Sequence, residues 1–269
     1  MSADGFKILH WADYFDGPWS PGGLNKYQSG HFDGLSLLTS VNSPPADLLF
    51  LADLVGLRSF YLRARVSNDL DAFRVVTLED LTLVTGSRRV VPKVVQPSMR
   101  NLCLTDRPGI SAVRWPALES LRIGMWRGRD LEFVRGAEQL RTVRLEGRRQ
   151  HGSLTGIEEC VALEEFVSID YSIETTKPLA GLTRLRQVSL MAAPPASPHG
   201  EISFADLAGA NLQKIWVSNA VALRDVGALD SLPHLRELRL VECRLTDRDM
   251  KTLGRLRDGV DVKVIDPRV

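Results

Sequence analysis

The chain has 269 residues, of which 44% are hydrophobic and 25% charged, with a formal net charge of +1. These are ordinary values for a chain that folds in water, and so small a net charge gives no global attraction to nucleic acid or an anionic membrane. No run approaches the roughly 18 apolar residues that a membrane-crossing helix needs.

Met1 to Phe15 lacks the basic stretch and apolar core of a secretory signal, so the expected location is the cytoplasm. Three cysteines, an odd number and far apart, make no disulfide framework and fit a reducing compartment. Arginine outnumbers lysine 27 to 7, which fits a GC-rich, bacterial genome.

In chain order, residues 1–32 hold seven of the 18 aromatics: Phe6, Trp11, Tyr14, Phe15, Trp19, Tyr27 and Phe32. Turn signals stand among them at Gly17-Pro18 and Pro21-Gly22-Gly23. Residues 1–50 therefore read as an aromatic-rich cap, with Leu35-x-Leu37 as a first, imperfect strand before the Pro44-Pro45 break.

From there one pattern recurs. It begins at Leu57-x-x-Phe60-x-Leu62, Leu78-x-x-Leu81-x-Leu83 and Met99-x-x-Leu102-x-Leu104. It continues at Leu118-x-x-Leu121-x-Ile123, Leu140-x-x-Val143-x-Leu145 and Leu185-x-x-Val188-x-Leu190, and ends at Leu212-x-x-Ile215-x-Val217 and Leu235-x-x-Leu238-x-Leu240. Each unit predicts a short strand, and strands stacked side by side bury a continuous apolar face. The last apolar positions, with Ser168 among them, step by 21, 21, 19, 22, 23, 22, 27 and 23 residues. Several linkers carry an apolar residue every third position, as in Leu223-x-x-Val226-x-x-Leu229-x-x-Leu232-x-x-Leu235. Period three predicts short 3₁₀ turns.

One unit breaks the pattern: Leu163-x-x-Phe166-x-Ser168 has a serine where an apolar residue belongs. Val167 and Ile169 alternate with it, which leaves the register open between the repeat pattern and a one-residue shift that would exchange the faces of this strand. Residues 247–269 read as a closing cap, a helix over 247–256 and a last strand over 261–265.

These repeats resemble the leucine-rich repeat family over roughly residues 50–245. Their length is similar to the short repeats, about 22 residues, of internalins and phosphatase-regulating leucine-rich proteins. The resemblance implies an α/β leucine-rich repeat solenoid with N- and C-terminal caps. Its curved parallel sheet lies on the concave side, with short 3₁₀ or α turns and loops on the convex side. About nine repeats would fill residues 51–246. The family's usual asparagine, three past the last leucine, is missing. That position holds Arg65, Gly86, Arg107, Trp126, Arg148, Tyr171, Ala193, Ala220 and Cys243, so less regular repeats are expected.

No catalytic or metal motif stands out. The histidines are scattered, none with Cys or Asp at ligand spacing, and no Gly-rich phosphate loop follows a strand. The chain is read as no enzyme, and no cofactor is implied. The resemblance implies binding of another macromolecule through the concave face.

Side chains alternate across a strand, so Tyr61, Arg122, Arg144, Trp216 and Arg239 are expected to line that face. Arg122 and Arg144 would be adjacent like charges, compensated by an acidic partner or by nearby Glu119, Glu146 and Glu165. Residues 1–53 balance at −4, residues 54–150 at +8 and residues 151–269 at −3. The basic excess follows the strands at Arg63, Arg65, Arg88, Arg89, Arg107, Arg127, Arg129, Arg148 and Arg149, an expected arginine rim with Trp126 beside it. Such a rim would steer an anionic partner. The 27-residue repeat carries a Pro-rich insertion at 191–200, another candidate binding loop. The expected partner is a protein with an acidic surface, with an immunity or inhibitor role as the sharper version. Nucleic-acid binding through the rim is the alternative, disfavoured by the near-zero net charge.

Overall fold

The computed structural model describes residues 5–39, 47–65, 68–192, 198–256 and 259–265, with the backbone alone at 148–151. Most of the Pro-rich insertion (residues 193–197) and the Pro44-Pro45 break lie outside the described residues.

Fourteen strands are described. Twelve form one sheet, β1 to β9 in chain order followed by β11, β13 and β14, while β10 and β12 pair separately. The chain divides into two compact units, Met1–Leu121 and Arg122–Val269.

In the first unit, β1 (Ile8–Ala12), β2 (Gly34–Leu38), β3 (Ser59–Arg63), β4 (Asp80–Val84) and β5 (Asn101–Thr105) pair in parallel. Trp11, Leu37, Leu62, Leu83 and Leu104 are register partners in succession, and all are buried. The imperfect strand expected at Leu35-x-Leu37 is therefore a full member of the sheet. Helices α1 (Asp13–Asp16) and α2 (Pro21–Ser29) follow β1, and Trp11 packs edge-on against Trp19 at 5.3 Å.

β6 (Ser120–Trp126) spans the division between the units. In the second unit, β7 (Thr142–Gly152), β8 (Glu165–Ile173), β9 (Gln187–Met191), β11 (Lys214–Ser218), β13 (Glu237–Val241) and β14 (Asp261–Ile265) pair in parallel. The buried row here runs Leu145, Ser168, Leu190, Val217, Leu240, and is continued by the half-buried Val264. Ser168 is thus in register and fully buried, so this strand keeps the repeat pattern without a shift. Its hydroxyl is tolerated because it donates to the carbonyl of Tyr171.

Register is set by a repeated backbone device. At the start of most strands of the large sheet, two successive N–H groups share one carbonyl of the preceding repeat. Glu79 and Asp80 reach Arg58 O at 2.7 and 3.0 Å, and Arg186 and Gln187 reach Glu164 O at 2.8 and 3.1 Å. No side chain takes part, so this pairing is independent of the residues at those positions.

Between strands the chain turns back through eight short 3₁₀ segments among the described residues, from Leu49–Asp53 to Val226–Ser231. This agrees with the period-three linkers. The closing helix α3 (Asp247–Leu253) carries a capping box, with Thr246 and Asp249 exchanging hydrogen bonds.

Four repeats share a feature that the leucine pattern does not announce. Two residues past the last buried strand position, Met125, Asp170, Asn219 and Glu242 adopt left-handed backbone, with φ between 52 and 58°. Each one turns the chain so that the next side chain points inward, and Trp126, Tyr171, Ala220 and Cys243 are all buried. Beyond the turn runs a second line of parallel pairing. Gln150–Gly152 lie beside Tyr171–Ile173, Thr175 beside Glu201, and β10 (His199–Ser203) beside β12 (Ala220–Arg224).

Candidate protein-binding face

On the solvent side of the first unit, Tyr61 stands between Ser36 and Thr82, which in turn neighbours Cys103. This stretch is small and polar apart from Tyr61.

The second unit is richer. Its central row runs Arg144, Val167, Ser189, Trp216, Arg239, Lys263. Trp216 is 40% exposed, and the Arg239 guanidinium lies over its ring at 5.7 Å. Stacking holds both side chains and leaves much of the indole open to solvent. Two positions further along the strands, Ile169 and Met191 are register partners, as are Val241 and Ile265. The face therefore presents partly exposed apolar side chains beside an exposed tryptophan.

Its charges are largely matched within the chain. Glu146 accepts from Arg122 Nη2 at 2.7 Å and from Arg144 Nε at 2.9 Å. Partial desolvation acts to raise the Glu146 pKa, but Arg144 and Arg122 outweigh it and hold the carboxyl below the usual range. The like-charge pair read from the sequence is thus compensated locally. Arg239 is likewise held by Glu237, which also lies 3.9 Å from Lys214.

The arginine rim divides. Arg63, Arg65, Arg88 and Arg89 are exposed in the first unit, and Arg127 and Arg129 in the second. Arg107 is not part of it. Its Nη1 donates to both oxygens of Asp69 at 2.8 Å, and both side chains are fully buried. Thr85 donates to the same carboxylate at 2.6 Å, and Phe73 stacks below the guanidinium at 5.7 Å. Trp126 is also core, packed on Phe133 at 5.2 Å. The Arg148 side chain lies outside the described residues.

The physical reason for both corrections is positional. Arg107 and Trp126 stand three past the last strand leucine, where the repeat family points a polar side chain inward. Three of the replacements still serve the backbone there. Tyr171 Oη donates to Gly128 O at 3.1 Å, Cys243 Sγ to Val217 O at 3.5 Å, and Arg107 Nε to Thr105 O at 3.4 Å. The alignment of these positions in the sequence was the available signal.

Among the described residues, no group of His, Cys, Asp and Glu is placed to hold a metal ion. No described helix is long and apolar enough to cross a membrane.

No family model and no curated protein matches the sequence. Solved structures do. An internalin of Listeria monocytogenes aligns with a TM-score of 0.50 at 16% identity, over 88% of this chain and 81% of its own. Internalin C2 of the same organism gives 0.43 at 16%, covering 90% and 83%. A leucine-rich repeat protein of Leptospira interrogans gives 0.43 at 13%, covering 89% and 80%. At these identities the likeness concerns the fold. Taken with the parallel sheet and its 3₁₀ turns, it shows an α/β leucine-rich repeat architecture.

Proposed function

We propose that this leucine-rich repeat chain is a non-catalytic protein-interaction module that engages its partner on the solvent face of the sheet. The carrying observation is Trp216, 40% exposed in the middle of a strand with Arg239 stacked on it. Tryptophan and arginine dominate the energetics of protein interfaces, and this pair is already held in place before a partner arrives. Within the first unit, Tyr61 is the aromatic side chain in the corresponding strand row, between Ser36 and Thr82.

The partner is a protein with an acidic surface. Exposed Arg63, Arg65, Arg88 and Arg127 steer it, and Arg122 and Arg144 offer their remaining donors beside Glu146. An inhibitor or immunity role, in which the partner is an enzyme or toxin that this face occludes, is the sharper version, by analogy of fold. The three cysteines, none of them in a disulfide, fit a cytoplasmic setting.

The test is affinity capture from the native host with the wild-type chain and with Trp216→Ala, at low and moderate salt. A stoichiometric protein held by the wild type at moderate salt and lost with the variant supports this reading. Capture of nucleic acid alone, falling log-linearly with salt, would replace it with phosphate binding through the arginines. Trp216→Ala is expected to change the melting temperature little, because the ring lies on the solvent side.

A further inference from the structure

The large sheet ends at β14, and among the described residues β14 pairs with β13 alone. From residue 259 to residue 265 its side chains alternate between exposed and half-buried. Asp261, Lys263 and Ile265 lie on the solvent face, while Val260, Val262 and Val264 lie on the core side. Leu238 and Leu240, one strand earlier in that core row, are fully buried. Val262 and Val264 are only half-buried because no described strand lies beyond them.

The backbone says which groups face outward. Asp261 N–H donates to Arg236 O, and Ile265 O accepts from Glu242 N–H, each at 2.8 Å. In a parallel ladder alternate residues bond to the same neighbour, so Asp261, Lys263 and Ile265 serve β13. The N–H and C=O of Val262 and Val264 therefore point away from the sheet, a template for one more strand. Charged side chains commonly blunt such an edge, and by themselves they would mean no more than that. Here, however, the charges are mismatched within the sheet. Asp261 is the register partner of Glu237 and Lys263 that of Arg239, like beside like, while Glu237 and Arg239 hold each other. Neither Asp261 nor Lys263 makes an ion pair among the described residues.

We propose that β14 pairs antiparallel with β14 of a second copy of this chain, about a two-fold axis at Val262. Outward-bonding residues must meet outward-bonding residues, which restricts the registers. An axis at Asp261 sets aspartate opposite aspartate, and one at Lys263 sets lysine opposite lysine. Like charges directly opposite each other are destabilising. With the axis at Val262, Asp261 of each copy stands opposite Lys263 of the other, and Val260 stands opposite Val264. Each charge gains the opposite partner that its own sheet denies it, and the half-buried valines of both copies meet on the core side. Such a two-fold contact is closed, so assembly stops at two copies. The pairing involves β14 alone and does not rest on the Trp216 reading.

The test is sedimentation equilibrium of the whole chain over a range of concentrations, with no other protein present. The wild type is expected to equilibrate between monomer and dimer. Asp261→Lys leaves lysine at both charged positions of the strand, and Lys263→Asp leaves aspartate at both. Each variant alone is expected to dimerise on the order of tenfold more weakly. An equimolar mixture of the two should form a heterodimer, because lysine then faces aspartate at every crossing. In the wild type, amide exchange at Val262 and Val264 should slow as concentration rises. Lys263, already bonded to β13, should not change. A chain that stays monomeric at every concentration would overturn the proposal, as would growth beyond the dimer, which indicates head-to-tail stacking. Single variants that dimerise like the wild type, or a mixture that gains nothing, would overturn it too. If a variant fails to fold, the exchange measurement on the wild type decides, and no slowing at Val262 and Val264 refutes the pairing.

Discussion

Arg107, Asp69 and Thr85 come from three successive repeats and meet where no water reaches them. A guanidinium and a carboxylate buried together gain little over a pair of apolar residues, but removing one leaves the other as an unpaired charge. Arg107→Ala is therefore expected to lower stability by about 3–5 kcal/mol, read from the urea midpoint. The double variant Asp69→Leu with Arg107→Met should recover most of that loss, because no charge remains. If the single variant cost no more than a surface substitution, the pair would not be buried as described.

Ionisable groups in the core also set a pH limit. Burial, with a smaller contribution from Asp33, pushes the Tyr27 hydroxyl up from 10.0 to about 12. Burial likewise pushes Tyr171 to about 12 and the Cys160 thiol from 9.0 to about 12. In each case the unfolded chain loses its proton first. The stabilisation is thus complete below about pH 9 and is lost as pH rises towards 12. Urea midpoints measured from pH 8 to 11 should fall steadily in the alkaline half of that range. A flat profile would mean that these groups are solvated in the folded chain.

At the scale of the element, the strand with its succeeding turn is the unit to understand. The leucine spacing was sufficient to locate the strands, because core-facing side chains in parallel strands are the largest signal a sequence carries. The turns just past the strands are harder to read. A left-handed residue is nearly free at glycine and tolerated at Asn and Asp, but Met125 and Glu242 adopt it as well, and nothing local marks them. The tight pairing beyond those turns depends on absent side chains. A Cβ at Gly152 would stand 1.7 Å from the Tyr171 hydroxyl, and one at Gly200 2.4 Å from the Glu174 carbonyl. Gly152→Ala is expected to displace Tyr171, break its bond to Gly128, and cost on the order of 1–3 kcal/mol. Hydrogen exchange at the Gly152 to Ile173 pairing would report the damage. Unchanged protection there would mean that the second line of pairing does not depend on this close approach.

Position relative to the strand end decides which parts of the candidate site were legible in the sequence. Residues inside strands, such as Tyr61, Arg144, Trp216 and Arg239, follow simple alternation and lie on the solvent face as expected. Residues just past the strands do not alternate, because the backbone changes hand there. Trp126 and Arg107 read as rim for that reason and are core. The partnering of Glu146 with two arginines was foreseeable only as one compensation among several, since side-chain reach across strands is not a property of spacing.

For the whole molecule, stacking means that each repeat contacts chiefly its neighbours, so damage should spread by proximity along the stack. Leu182 is 3% exposed in a turn between β8 and β9. Leu182→Asp places an unpaired charge there and is expected to cost several kcal/mol. The loss of hydrogen-exchange protection should be greatest in β8, β9 and β11. Uniform loss across the second unit would instead indicate that its repeats unfold as one block.

The inward position after each strand has a further consequence. Where identical residues fill every rung, a repeat can be copied, deleted or exchanged with little local change. Here one rung is filled by an arginine that needs an aspartate two repeats back, another by a tyrosine that reaches Gly128, another by a thiol. Each repeat is keyed to specific neighbours, and shuffling two of them would orphan groups in both places. The stack is thus a fixed sentence and not a string of interchangeable words. Engineering its length by inserting a consensus unit should succeed only at a junction that no such cross-repeat bond spans.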